Sequence, residues 1–149
     1  MKTYFVRLEV YNQWANRRVL NALNSFPVSE ECWKLFSHLV LAEWVWRSRL
    51  EGHSPQISVF TVLDPESLEQ KLEENARGWK DSFENLDMVR SLSYQNLQGE
   101  PFTSIVTDIL AHVFNHSTYH RAQIAQRLRQ EGFQPPSTDY ISFSRLEVR

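Results

Sequence analysis

The chain has 149 residues, 42% hydrophobic and 23% charged, which is enough for one domain with a substantial core. Its 16 Lys and Arg against 18 Asp and Glu give a net charge of −2, without the basic excess typical of nucleic-acid-binding proteins. Only 4 glycines are present, too few for the many turns of an all-β fold, and the single cysteine excludes an internal disulfide.

The N-terminal segment and the apolar clusters predict the compartment. Charged and amide side chains interrupt the segment MKTYFVRLEVYNQW, so it lacks the apolar stretch of a signal peptide. The longest apolar cluster, residues 39–46, contains Glu43 and is far too short to span a bilayer. With Cys32 unpaired, we expect a soluble cytoplasmic protein that uses neither a membrane nor a nucleic acid as partner.

Two helices are predicted in the first third of the chain. Apolar residues recur at three- and four-residue spacing over residues 3–25, and Pro27 ends this stretch. The second helix covers residues 30–51, with Ser29 as the expected N-cap and Gly52 as the stop.

A third helix and a hairpin follow. Asp64 and Pro65 form a typical helix start, an N-cap followed by proline at the first helical position, and the helix continues to about residue 86. The stretch 91–102 alternates apolar and polar residues and contains Gly99, which favours a short hairpin.

The fourth helix is the longest apolar-periodic stretch in the second half of the chain. Thr103 or Ser104 is the expected cap, the helix extends to about residue 131, and Gly132 stops it. Four long helices in a chain of this size predict an all-α four-helix bundle, with residues 1–149 as a single domain.

Three of the five histidines lie four residues apart on the fourth helix and therefore share one face. Measured from Ile105 at about 100° per residue, the apolar arc centres near about 70°. His116 falls at about 20° and His120 at about 60°, inside the arc, whereas His112 falls at about −20°, at its edge. Arg121 falls outside the arc or at its far margin. We therefore expect His116 and His120 to point into the core.

Two adjacent buried imidazoles are costly unless each has a partner, and a metal ion satisfies both. The third ligand must come from another helix, and His38 is the candidate, although the second helix is apolar on nearly every side and periodicity does not orient this residue. Hydrogen-bonded core histidines remain the alternative. His53 lies in a loop beside Gly52 and is expected to be solvated.

Other catalytic motifs are excluded. The segment from His116 to His120 lacks the glutamate of the HExxH metalloprotease motif. No glutamate lies three residues before a histidine, as di-iron bundles require, and no G-x-S-x-G, P-loop, dinucleotide or C-x-x-C motif is present.

Three segments together resemble the DinB/YfiT-like superfamily of metal-binding four-helix bundles. They are YNQWANRRVL (11–20), SHLVLAEWVWRSRLEG (37–52) and HVFNHSTYHRAQIAQRLRQEGFQPPSTDYISF (112–143). The second resembles a motif that places a ligand histidine before a leucine, and the third carries the His-x-x-x-His-Arg pattern. One departure is Ala122, where many members have glycine.

The resemblance implies that His38, His116 and His120 bind one divalent metal ion. Zinc or nickel is expected first, with iron, copper and manganese left open. Some relatives are transferases or isomerases that use low-molecular-weight thiols, so a thiol co-substrate and a small-molecule substrate are expected, and we expect a homodimer. Further residues are candidates for the second shell or pocket: His112, Asn12, Asn16, Tyr119, Arg121, Asp139 and Tyr140.

Three functions remain open from the sequence. The first is an enzyme, a thiol-using transferase or related hydrolase, because three neutral histidines leave the metal an open position for water or a thiol. The second is a non-catalytic metal-binding protein with a structural or stress-response role. The third is a metal-free interaction bundle. No catalytic residue is assigned.

Overall fold

The structure is a computed structural model that describes residues 1–96 and 98–146. Its main elements are four long helices and one hairpin. A fifth, short helix lies in the C-terminal tail. The elements in chain order are α1 (Lys2–Ser25), α2 (Glu30–Leu50), α3 (Pro65–Asn85), β1 (Ser91–Gln95), β2 (Pro101–Ile105), α4 (Val106–Gln130) and α5 (Tyr140–Ser144). The predicted all-α bundle with a hairpin before the last long helix is confirmed.

The helix boundaries follow the signals in the sequence at several points. The Asp64 side chain accepts a hydrogen bond from the Ser67 backbone N–H at 2.9 Å, as an N-cap should. Gly52 and Gly132 both adopt a φ of 86°, the left-handed conformation that ends a helix at little cost only for glycine.

The start of α4 differs from the prediction. Thr103 and Ser104 do not cap this helix, because both belong to β2 and α4 begins only after Ile105. Thr103 pairs with Ser93 across the hairpin, and their hydroxyls lie 3.0 Å apart. A β-branched threonine suits a strand at least as well as a cap, and the pairing with β1 decides between them here.

Ser29 precedes α2 as predicted, but its side chain makes no capping hydrogen bond to that helix. Instead, its backbone N–H donates to Glu131 Oε2 at 3.0 Å and its hydroxyl donates to Glu131 Oε1. The residue therefore ties the start of α2 to the end of α4.

The hairpin lies beside the C-terminal end of α2. β1 and β2 pair antiparallel from Ser91 opposite Ile105 to Gln95 opposite Pro101. The Tyr94 ring contacts the Trp46 ring of α2 edge to face, with centroids 4.9 Å apart. This contact makes the hairpin one wall of the cleft described below.

The tail folds back against α1, which the sequence did not predict. The Tyr11 hydroxyl donates to the Thr138 carbonyl at 2.7 Å, and Arg18 Nε donates to the Ser137 carbonyl at 3.0 Å. Phe143 of α5 packs on Tyr11, with centroids 5.7 Å apart. A helix of only 5 residues is too short to show a hydropathy period, so the sequence does not reveal it.

The core contains two large apolar clusters stacked along the bundle, with buried polar residues between them, and two smaller clusters around Tyr11 and Leu41. One cluster contains Leu20, Phe36 and Leu128, and the other contains Phe5, Trp79 and Leu110. Each long helix carries a buried polar residue between its contributions to the two clusters: Asn12 and Asn16 on α1, Glu43 on α2, Asn75 on α3, and Ser117 and Arg121 on α4. In the described part of the chain, no helix combines the length and the apolar character needed to cross a bilayer.

Candidate metal centre

Three histidines from two helices converge at the edge of the bundle. His38 comes from α2, and His116 and His120 lie one turn apart on α4. His116 Nε2 lies 3.3 Å from His38 Nε2 and 3.1 Å from His120 Nε2. One ligand atom from each of the three lies within 4.8 Å of the others, so the cluster could hold a metal ion.

The outer nitrogens of two of these rings have partners that fix the proton positions. His38 Nδ1 lies 3.1 Å from the Val59 carbonyl oxygen, and His120 Nδ1 lies 2.6 Å from Gln123 Oε1. Both partners are acceptors, so each Nδ1 must carry the proton and each Nε2 must present a lone pair. This is how metal-binding histidines are usually oriented.

The three Nε2 atoms cannot satisfy one another by hydrogen bonds alone. Since His38 and His120 each present a lone pair, only His116 Nε2 can supply a hydrogen, and a single hydrogen faces two acceptors. Adding a further proton is unfavourable, because burial and then the neighbouring His120 and His38 lower the pKa of His116 to about 3. A divalent cation accepts lone pairs from all three nitrogens, so this donor set fits a metal ion.

The histidines lie at the rim of the bundle and not in its core, which corrects the angular prediction. His116 and His120 are half-buried, and His112 is exposed. The predicted arc counts Ile105, which precedes α4 and is 45% exposed, whereas Phe114 and Ser117, at about 180° and 120°, are buried. The buried stripe is therefore centred at a larger angle than predicted. For the same reason, the placement of Arg121 outside the buried face was wrong, since this residue is only 2% exposed.

Aromatic and imidazole rings surround the cluster. Phe60 stacks on His38 with centroids 5.1 Å apart and planes 5° from parallel. His112 packs between Trp46 and His116, at 5.6 and 5.4 Å, and the exposed Tyr119 contacts the His120 ring at 5.2 Å. His112 and Tyr119 therefore lie beside the cluster, and His53 is exposed as expected.

Three residues around the cluster were missed by sequence reasoning. Val59 and Phe60 lie in the loop between α2 and α3, where no hydropathy period shows which side chain or carbonyl faces inward. Gln123 could have been found, because a residue three positions after His120 lies on the same helical face.

A cleft of about 350 Å³ opens beside His38 and His116. Its walls combine α2, the hairpin and the loop at Val59, and they include Trp46, Tyr94 and Phe102. A small molecule in this cleft would have one end at the histidines.

Asn12, Asn16 and Arg121 form a separate polar network instead of surrounding the histidines. Arg121 Nη1 donates to Asn12 Oδ1 at 2.6 Å and to Asn16 Oδ1 at 2.8 Å. The amide nitrogens of the same two asparagines donate to Glu43 Oε2, at 3.0 and 3.3 Å. The asparagines therefore bridge a buried cation and a buried anion.

The Glu43 carboxylate accepts two further hydrogen bonds, from Gln13 Nε2 at 3.0 Å and from Trp79 Nε1 at 2.9 Å. Burial raises the pKa of Glu43, while the Trp79 and Asn12 hydrogen bonds and the Arg121 charge oppose this. Since all four contacts are donors, a proton on Glu43 would have no acceptor, and the ionised form fits the site. Burial and then the Glu43 charge raise the pKa of Glu9 to about 7.

Asp139 and Tyr140 lie on the opposite flank of α4, in a groove formed by α1, α4 and the tail. Arg7 Nε donates to the Tyr140 hydroxyl at 2.9 Å, and Asp139 precedes α5. Ala122 lines the same groove. These residues support the tail, and the structure does not bring them to the histidines.

Comparison with known proteins gives a consistent family match. The model of the DinB family matches residues 1–148. The chain is 28% identical over 162 aligned positions to Protein DinB of Bacillus subtilis (strain 168), covering 94% of this chain and 93% of the relative. No solved structure matches the chain.

Replacing Glu43 with glutamine should destabilise the bundle, because the glutamine NH₂ would face donors in place of the carboxylate that accepts them. We expect a loss of about 3 kcal/mol in the free energy of unfolding, measured by urea denaturation. Glu74→Gln is the matched control, since this half-exposed carboxylate of α3 accepts from Trp44 and Lys71. It should cost about 1 kcal/mol or less. Equal losses in the two variants would contradict the importance of the buried network.

The depressed pKa of His116 should be visible in the metal-free protein. In the unfolded chain this group titrates near its ordinary value of about 6.5. Above that pH, the neutral His116 costs the folded state nothing. As the pH falls from there toward about 3, the unfolded chain takes up a proton that the folded chain does not, so the free energy of unfolding decreases. In the presence of a chelator, we expect the His116 ring resonances in NMR to stay those of neutral imidazole from pH 8 to pH 5. Titration of His116 near pH 6.5 in the folded chain would show that the lone pairs do not converge as described.

Proposed function

The chain belongs to the DinB family, and we propose that it is a divalent-metal-binding protein whose three-histidine site serves a thiol-dependent transfer reaction. His38, His116 and His120 are the proposed ligands. One observation carries the proposal. His116 Nε2 lies 3.3 Å from His38 Nε2 and 3.1 Å from His120 Nε2, and only one hydrogen is present for these two contacts.

The surroundings of the site support an open coordination position. In residues 1–96 and 98–146, the cluster contains three side chains and no fourth histidine, cysteine or carboxylate. Catalytic metal sites typically have three protein ligands, whereas closed structural sites have four. A cleft beside His38 and His116 gives a small molecule access to the cluster.

The side chains and backbone around the cluster prepare it before any ligand enters. The Val59 carbonyl and Gln123 Oε1 hold the protons on the outer nitrogens of His38 and His120, so both Nε2 lone pairs point inward. Phe60 covers one face of the His38 ring. A divalent ion bound here supplies a Lewis acid that promotes loss of a proton from a water or thiol at its open position.

Zinc or nickel is the metal that we propose first. Three neutral imidazoles suit zinc, nickel, copper and iron, and they carry no charge to offset that of the ion. Manganese suits them less, since it favours oxygen ligands, and the cluster contains none.

A metal-binding role without turnover is the second candidate. His38 lies on α2 and the other two histidines lie on α4, so a bound ion would join these two helices. That arrangement favours a structural contribution of the metal, whether or not a reaction takes place.

The metal content of the purified protein tests whether the three histidines bind a metal ion. Purified without a His-tag, the wild-type chain should contain about one divalent ion per molecule by mass spectrometry. His116→Ala should lose it, because two remaining imidazoles bind far more weakly. His53→Ala removes an exposed loop histidine and should keep the metal. No metal in the wild type, and none after incubation with zinc or nickel, would refute the proposal.

Turnover separates the two candidates. With the metal-loaded chain, we expect conjugation of a small thiol to 1-chloro-2,4-dinitrobenzene to exceed the uncatalysed rate, and His116→Ala to abolish the excess. A full complement of metal with no rate excess across a series of thiols and electrophiles would favour the non-catalytic role.

A further inference from the structure

A larger groove between the loop 52–58 and the hairpin borders the cleft beside the histidines. The groove has a volume of about 900 Å³. It shares a wall with the cleft, made of Arg49, Tyr94, Asn96 and Phe102. Arg49 therefore lies where the inner cleft meets the outer groove.

No carboxylate side chain lines either space among the residues that the structure describes. Arg49 is the only lysine or arginine among these lining residues. In a chain with more acidic than basic residues, a wall with a guanidinium and no acid favours an anionic ligand.

The Arg49 guanidinium is held in place by aromatic rings and not by an acid. It lies over Trp46 at 4.7 Å and over Tyr94 at 5.3 Å from the ring centroids. Its Nη2 donates to the Gln95 carbonyl at 2.9 Å. Arg47, two positions earlier on α2, pairs with Glu51 and Glu74. In residues 1–96 and 98–146, by contrast, no carboxylate pairs with Arg49. Several of its five N–H donors are therefore available.

One face of α2 fixes the distance between this cation and the histidines. His38, Ala42, Val45 and Arg49 follow one another at three- and four-residue spacing and all line the cleft. Arg49 is eleven positions after His38, a rise of ~16 Å, and helical side chains lean toward the N-terminus. Since both side chains lean the same way and Arg49 is only somewhat longer than His38, the guanidinium lies on the order of 10–15 Å from the histidine cluster.

We propose that Arg49 binds the carboxylate or phosphate of a small molecule whose other end reaches the three histidines. The inference rests on the proposed function, since it assigns a substrate class to the same site. It selects molecules with an anionic group separated from the reactive atom by a chain of about six to eight bonds.

Two thiols of matched length test this inference on the chain loaded with cobalt(II). 6-Mercaptohexanoate carries a carboxylate at its far end, and 6-mercapto-1-hexanol carries a neutral hydroxyl. The absorbance of the thiolate-to-cobalt band gives the affinity of each. Arg49→Gln should weaken 6-mercaptohexanoate about tenfold and leave 6-mercapto-1-hexanol unchanged, because only the first loses a charge-assisted contact. Arg49→Lys should restore most of the difference. Arg77→Gln, on the exposed side of α3, is the control.

The outcomes separate this inference from the proposed function. Equal effects of Arg49→Gln on the two thiols, or no effect on either, would overturn the inference. Cobalt uptake without a thiolate band for either thiol would also overturn it and would leave metal binding intact. No uptake of cobalt, zinc or nickel by the wild type would instead overturn the proposed function itself, and the inference with it.

Discussion

The buried bridge from Glu43 through two asparagines to Arg121 sets how the helices lie against one another. Each asparagine accepts from the arginine and donates to the glutamate, so α1 is fixed against both α2 and α4. Trp79 adds α3 through its hydrogen bond to Glu43. Apolar contacts above and below this layer are non-directional, whereas the hydrogen bonds that join the two buried charges through the asparagines require one alignment of the helices.

The histidine cluster depends on this register. Glu43 follows His38 on α2, and Arg121 directly follows His120 on α4. The bridge and the cluster therefore join neighbouring stretches of the same two helices. Because the polar layer already occupies the interior at this height, the histidines face outward at the rim, where the loop at Val59 and Phe60 covers one side. The site is therefore accessible and yet held by the core.

The sequence predicts the helices well and orients the polar residues poorly. Asp64, Gly52 and Gly132 mark helix ends because the backbone conformations they favour are local. The spacing of His116 and His120 likewise requires them to share a face. The burial of Arg121 was missed, because hydropathy treats an arginine as exposed and its asparagine partners lie more than 100 residues away in the sequence.

The direction of His38 and the ring of Phe60 were beyond prediction for a related reason. The second helix is apolar around most of its circumference, so its period does not distinguish the face toward α4 from the face toward α3. Its neighbouring loop has no period at all. The sequence offers His38 as the candidate third ligand, and only the packing of α2 on α4 shows which way the ring points.

The separation of the histidines along the chain couples metal affinity to folding. His38 and His116 are 78 positions apart, so the unfolded chain retains the His116–His120 pair but must close a long loop to add the third imidazole. Any ion that needs all three would bind the native state in preference and shift the unfolding equilibrium by mass action. Metal supply and protein lifetime would then be linked, since a chain deprived of its ion would spend more time in the open, protease-sensitive state.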